Sequence, residues 1–154
     1  MSKKIGIISD THGLLRLNVM EILETCDCII HAGDFDREEI LEAIQPLATI
    51  YAVKGNNDFW ARKLQRSLTF AIEGVKFFLV HDKADVARNL GDTDVVIFGH
   101  THRYFNEIID ERLWLNPGSC GYQRFGGETS MVIMTVDNGK YSVEKIVVEE
   151  ERRL

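Results

Sequence analysis

The run Ile5-Gly6-Ile7-Ile8-Ser9-Asp10-Thr11-His12-Gly13 decides how the rest of the chain is read. Isoleucines at 5, 7 and 8 suit a strand covered on both faces, and the apolar run stops abruptly at a carboxylate, an imidazole and a glycine. Two residues apart, Asp10 and His12 are expected to leave the strand tip on the same side, as a pair of metal ligands. The competing reading is a helix N-cap followed by a loop histidine.

The pattern recurs outward from that run. Leu14 to about Thr25 places apolar residues at helical spacing, and Cys28 to Ala32 is a second apolar strand, ending in Gly33-Asp34. Asp36 with Glu39 three residues later resembles a capping box opening a helix through Gln45. A third strand, Thr49 to Lys54, finishes in Gly55-Asn56-Asn57-Asp58, and 59–66 reads as a short helix or ordered loop. Residues 67–72 and 75–80 form a hairpin around Glu73-Gly74 that ends in His81-Asp82. A short helix over 85–90 and a buried strand over 94–98 lead to Gly99-His100-Thr101-His102. Strands over 104–109 and 113–115, turn chemistry at Asn116-Pro117-Gly118-Ser119, and a last hairpin around Asp137-Asn138-Gly139-Lys140 complete the pattern. No repeat or linker interrupts it, so 1–154 reads as one domain, with 149–154 as a solvated tail.

Composition narrows the function classes. The 154 residues carry 18 Lys+Arg against 24 Asp+Glu, a net charge of −6, and no cationic stripe long enough to follow a nucleic-acid backbone. Stable duplex binding is therefore not expected. No apolar run reaches the roughly 18 residues that span a bilayer, and Ser2-Lys3-Lys4 leads directly into a strand, which points to the cytoplasm and to no membrane partner. Three cysteines are an odd number without framework spacing; Cys26-Asp27-Cys28 is either a soft-metal pair or, as favoured, a small buried Cys28 opening a strand. Tyr104, Phe105 and Trp114 are either core or an exposed patch, which leaves a homo-oligomer open.

The strand tips add up. Ligands of open α/β sheets gather at the carboxyl ends of the strands. Here five such ends carry Asp10/His12, Asp34, Asn56, His81 and His100/His102, including four of the five histidines. Seven ligand-type residues exceed what a four-coordinate zinc with an open water position needs, and a bridged pair of divalent ions uses them all. Mixed imidazole and carboxylate donors suit transition metals over calcium: manganese first, with iron, zinc or nickel compatible. Glycines at 13, 33, 55 and 99 let the backbone turn beside the ligands without a Cβ clash. Paired ions about 4 Å apart suit phosphoryl hydrolysis by a bridging hydroxide, although aminopeptidases also use metal pairs.

The motifs Asp10-x-His12, Gly33-Asp34, Gly55-Asn56-x-Asp58, His81 and Gly99-His100-Thr101-His102, in this order, resemble the calcineurin-like metallophosphoesterases. The resemblance is closest to their small single-domain bacterial and archaeal phosphodiesterases and covers residues 5–119. It implies an α/β fold, a two-sheet β-sandwich flanked by helices in four αββα layers, with a dimetal site at one edge. Asp10, His12 and His102 would then hold the first ion and Asn56, His81 and His100 the second, with Asp34 bridging. The implied activity is dimetal-dependent phosphodiester hydrolysis of a small phosphate-ester substrate. The alternative is a catalytically silent interaction scaffold, since the metallophosphoesterase-like subunit of the retromer coat resembles the same family. The complete ligand set, His12 above all, favours the enzyme.

Two departures bear on substrate. Many members place histidine where this chain has Asn57, and an amide can donate to phosphate but cannot act as a general acid near neutral pH. Diesters and activated aryl esters are therefore expected over alkyl monoesters. Small relatives commonly show His-Gly-His where this chain has His81-Asp82-Lys83, so Lys83 is a candidate substrate cation, against a solvated lysine at a helix start. Arg62, with Lys63 and Arg66, is a second candidate cationic rim, against an exposed helical face; Arg103 and Arg124 are weaker ones. Asn57 and Asp58 are the expected catalytic residues of the third motif, Asp58 by orienting an imidazole. His31 reads as a hydrogen-bonded structural histidine, and Phe59, Trp60 and Phe125 as core residues ahead of stacking platforms.

Overall fold

The computed structural model describes residues 1–122 and 127–148, so the expectations for Arg124, Phe125 and the 149–154 tail lie outside the described residues. Strands β1 (Lys3–Ile8), β2 (Cys28–His31) and β3 (Thr49–Ala52) run parallel, separated by helices α1 (Leu17–Leu23) and α2 (Glu38–Ile44). Two antiparallel strands from the end of the chain, β9 (Ser130–Asp137) and β10 (Lys140–Val147), complete a sheet of order β10-β9-β1-β2-β3. The middle of the chain builds the second sheet, of order β4-β5-β6-β8-β7, from β4 (Ser67–Ile72), β5 (Val75–Val80), β6 (Val95–Ile97), β7 (Phe105–Ile109) and β8 (Arg112–Asn116). The two mixed sheets of five strands, with few helices, form the expected sandwich.

Period-two alternation explains the layering. Ile5 and Ile7 of β1 join Ile30, Phe77, Leu79, Ile97 and Leu115 between the sheets, whereas Ile8 and Ile29 pack beneath α1 and α2 with Val19, Leu23, Ile40 and Ile44. Both faces of β1 are thus buried, which is why its sequence is a nearly continuous apolar run. Gly6 lies on the helix side, where a Cβ would come 2.6 Å from Leu23 Cδ2, so its lack of a side chain lets α1 lie on the sheet. Cys26 belongs to the helix-side cluster and Cys28 to the layer between the sheets, so the two thiols face opposite ways and hold no shared ion.

Several local expectations give way. Helix α1 is shorter than its periodicity suggests, because Gly13 donates its amide to Phe35 O at 2.7 Å and ties the preceding loop to the second strand tip. Helix α2 starts after Arg37 with no side-chain cap bond, so Asp36 does not cap it. Residues 59–66 form turns, the ordered loop of the two readings for that stretch. The helix expected over 85–90 is replaced by one 3-10 turn at Lys83–Asp85, capped by Asp82 accepting from Ala84 N, followed by an irregular strap. Six residues are too few to offset helix nucleation unless packing holds them. Here Val86 and Leu90 of the strap cover Phe78, Val96 and Phe98, so the layer outside the second sheet is thin. Phe105 and Trp114 pack there too, and Tyr104 packs against the layer between the sheets.

Candidate metal centre

The parallel strands β1, β2 and β3 and, across the sandwich, β5 and β6 all end at one edge, and the seven ligand-type residues follow those ends. Asp10 and His12 do not reach the site by strand alternation. Their φ values are 54° and 48°, and their amides donate to Gly33 O and Asp34 O, both at 3.0 Å, so the first tip is pinned onto the second in a left-handed conformation. Asp34, His100 and His102 also have positive φ, at 64°, 74° and 62°. Asp and His tolerate this region better than most residues, but each such position still costs about 1 kcal/mol or more, and such strain gathers at functional sites.

Two clusters result: Asp10, His12 and His102, and Asp34, His81 and His100. Asp10 is fully buried; its Oδ2 accepts from Ser9 Oγ at 2.6 Å and from His100 N at 3.0 Å, while its Oδ1 has no hydrogen-bond partner among the described residues. That orphaned oxygen lies 3.5 Å from His12 Nε2 and 3.4 Å from His102 Nε2. The two imidazole nitrogens are themselves 3.1 Å apart. Asp34 Oδ1 accepts from Asn57 N at 3.0 Å, and its Oδ2 lies 3.2 Å from His81 Nε2 and 3.8 Å from His12 Nε2, within reach of both clusters.

The tautomers follow from the outer partners. His12 Nδ1 donates to Asp36 Oδ2 at 3.0 Å and His81 Nδ1 donates to Ala32 O at 2.8 Å, which frees both Nε2 lone pairs to point inward. The Asn56 amide oxygen lies 3.1 Å from His81 Nε2 and 3.1 and 3.3 Å from the Asp34 carboxylate oxygens. Against the Asp34 carboxylate a reversed amide would donate its N–H groups; an amide oxygen facing carboxylate oxygens is an arrangement that a shared cation stabilises. The donor set therefore fits divalent metal.

Electrostatics agree. Burial alone would raise the Asp10 pKa, but His102, His12 and the charge of His81 hold it well below the usual carboxylate range. Burial also opposes ionisation of Asp34, and His81 together with the Asn57 amide nevertheless lowers its pKa. Burial pulls His81 down, yet Asp34 and Asp10 push it up to about 9. Protons on these rings and cations beside them answer the same two carboxylates.

The remaining expectations sort by geometry. His31 is structural as expected: fully buried, its Nδ1 accepts from Gly33 N at 3.0 Å, its Nε2 donates to Thr11 Oγ1 at 3.1 Å, and its ring stacks on Phe35 at 3.6 Å. Asp58 does not orient an imidazole. Its carboxylate accepts from Asp34 N, Gly55 N and Asp36 N at 2.8 to 2.9 Å, bracing two ligand loops at their backbones, and so it is a positioning residue. The imidazole-orienting carboxylate is Asp36, which sequence reading assigned to a helix cap; its spacing two residues after Asp34 was the available signal. Asn116 also gains a role, since its Nδ2 donates to Gly99 O and Thr101 Oγ1, both at 3.1 Å, and steadies the His100 loop.

Lys83 is not brought to the ligands: its ammonium sits 5.0 to 5.8 Å from the ring centres of Phe105, Trp114 and Phe98 on the outer face of the second sheet. Arg62 and Arg66 line a cleft beside Asn56, His81 and His100, together with Lys54, whereas Lys63 faces a separate groove with Leu41 and Ile50. Arg103 is exposed and does not line the cleft. Asn57 is exposed at the same strand tip. Trp60 is core, edge-on to Phe35, but Phe59 is 87% exposed at the cleft, against the expectation of core packing.

Comparison with known proteins places this geometry. The family model for the calcineurin-like phosphoesterase superfamily domain matches residues 3–139. A phosphodiesterase of Methanocaldococcus jannaschii is 34% identical, over 95% of this chain and 99% of its own length. The solved structure of an archaeal phosphodiesterase superposes with a TM-score of 0.79 at 32% identity, covering 94% of this chain and 99% of the other. Vps29 of Chaetomium thermophilum superposes with a TM-score of 0.77 over 97% of this chain and 100% of its own, but at 15% identity it shows the fold alone.

Proposed function

Because this chain belongs to the calcineurin-like phosphoesterase superfamily, we propose that it is a phosphodiesterase working with two divalent metal ions, manganese first among them. The observation that carries this reading is the convergence of ligand atoms: Asp10 Oδ1, the inward Nε2 atoms of His12 and His81, and the Asn56 oxygen share one small space beside the Asp34 carboxylate. In the proposal Asp10, His12 and His102 hold one ion, Asn56, His81 and His100 the other, and Asp34 reaches both. Bound there, the pair would activate a water and neutralise charge on the phosphoryl oxygens.

The chain's own groups do the positioning. Asp36 and Ala32 O hold two imidazoles with the correct nitrogen inward, and Asp58 fixes the loops carrying Asp34 and Asn56. In the proposal the exposed side chain of Asn57, whose backbone N–H donates to Asp34 Oδ1, donates an N–H to a phosphate oxygen. It cannot protonate a leaving group, so the reading favours diesters with acidic leaving groups. In the proposal Arg62 adds positive charge to the cleft wall, for a part of the substrate outside the reacting phosphate.

The test is metal content together with hydrolysis of bis(p-nitrophenyl) phosphate, in the wild type and in Asp34→Asn. Expected are two ions per chain and metal-dependent turnover, with at least a hundredfold loss of turnover and of one or both ions in the variant. Absence of turnover with every divalent ion tried would refute the hydrolase reading in favour of a scaffold.

A further inference from the structure

The cleft beside the second cluster has a wall that metal chemistry does not require. Asn56, His81 and His100 line a cavity of about 420 Å³ together with Lys54, Phe59, Arg62 and Arg66. Single exposed aromatics are ordinary, but Phe59, at 87% exposure, shares its cleft with three cations and with candidate metal ligands. Its neighbour Trp60 is packed inward, so the loop turns one ring into the core and offers the other to the cleft. Among the described residues, no ion pair or side-chain hydrogen bond occupies Lys54, Arg62 or Arg66. The segment after β5 adds two carboxylates, Asp82 and Asp85, to the same lining.

We infer that the diester taken by this site is a short nucleotide carrying a second phosphate, with its base stacked on Phe59 and that phosphate held by Arg62 and Arg66. The inference rests on the phosphodiesterase reading and names its substrate class. A ligand filling the cleft must combine a phosphodiester for the metal end, a flat π face for Phe59 and a further anion for the guanidinium groups. Short single-stranded nucleotides combine all three, and aromatic stacking with flanking cations is how proteins hold them without reading sequence. Asp82 and Asp85, on the same lining, can accept from sugar hydroxyls. The chain's net charge of −6 works against long polyanions and leaves the recognition local.

The experiment uses the 5′-phosphorylated diadenylate pApA with the wild type, Phe59→Ala, the double variant Arg62→Ala/Arg66→Ala, and Lys63→Ala as a control that removes a neighbouring cation facing another groove. Binding is measured by calorimetry in chelator, and kcat/KM is measured with manganese for pApA and for bis(p-nitrophenyl) phosphate. Phe59→Ala is expected to weaken pApA binding on the order of tenfold. The double arginine variant should weaken it similarly and flatten its salt dependence. Lys63→Ala should bind as the wild type does, and the preference for pApA over the aryl diester should fall in the first two variants only. Binding of pApA no tighter than inorganic phosphate, or equal in all four proteins, would overturn the inference. Turnover of the aryl diester with variant-insensitive pApA binding refutes this inference alone, whereas variant-sensitive binding without turnover of either substrate supports the cleft's ligand class and refutes the hydrolase reading.

Discussion

Asp36→Ala separates two roles for one carboxylate. As a helix cap, Asp36 would contribute about 1 kcal/mol to stability and nothing to metal binding. In the structure, α2 has no side-chain cap, and Asp36 Oδ2 instead accepts from His12 Nδ1 at 3.0 Å. The His12 side chain is 6% exposed and that of Asp36 34%, so water competes for this bond only from one side. Removing the carboxylate frees the ring to turn, allows the wrong tautomer and lowers the basicity of Nε2. Loss of such an outer partner typically weakens metal binding by roughly 10- to 100-fold, which is about 1.4 to 2.7 kcal/mol. Competition against a chromophoric chelator, resolving the two ions, should show the loss concentrated in the ion held by Asp10, His12 and His102. Asp36→Asn, whose amide oxygen can still accept from Nδ1, should recover part of it. Unchanged affinity for both ions, with a stability loss of about 1 kcal/mol in the chelated protein, would refute the orienting role and restore the helix cap.

Three further outcomes follow from the geometry. In Gly55→Ala the new Cβ would stand 2.1 Å from Asp34 Oδ1 and 2.5 Å from Asp34 N, so the carboxylate within reach of both clusters must move; metal content by elemental analysis should fall below two ions per chain while far-ultraviolet circular dichroism stays native. Burial depresses the His31 pKa to about 3, against nearby carboxylates Asp10 and Asp34 that favour its charge, so its contribution is whole above about pH 6.5 and is lost as pH falls towards 3. Urea unfolding in chelator should therefore show the wild type losing about 2 kcal/mol more than His31→Gln between pH 7 and pH 5, and equal losses would contradict it. Lys83→Met should leave kcat/KM for bis(p-nitrophenyl) phosphate within twofold and change stability by about 1 kcal/mol or less, since its ammonium lies on aromatic rings away from the ligands; a tenfold loss of activity would return it to the substrate.

Residue type and order made much of this protein legible in its sequence. Ile5, Ile7 and Ile8 marked a strand buried on both faces, and the turn chemistry at Glu73-Gly74 and Asn138-Gly139 placed two hairpins that the structure contains. The seven ligand-type residues stood out because carboxylates and imidazoles are costly at the ends of apolar strands unless something neutralises them. Local pattern misled where a tertiary contact outbid it: Asp36 had the spacing of a helix cap but turns to His12, and the stretch over 85–90 had helical spacing but is held as a strap on Phe78, Val96 and Phe98.

The glycines show the same division. Their place beside each ligand was visible, but the reasons differ: Gly13 and Gly33 need positive φ, whereas Gly55 and Gly99 are needed because Asp34 and Ser9 approach within 2.1 Å of where a Cβ would be. That second reason involves residues 21 and 90 positions away, and no periodicity carries it. The sequence by itself determined the strands, their polar tips and the kinds of donor gathered there, because alternation and turn chemistry act between near neighbours, while the two-sheet sandwich was an expectation carried by the family resemblance. Only the tertiary structure decided which nitrogen of each imidazole faces inward, which carboxylate orients and which braces, and that Phe59 faces the cleft while Lys83 does not, because each depends on a contact between segments far apart in the chain.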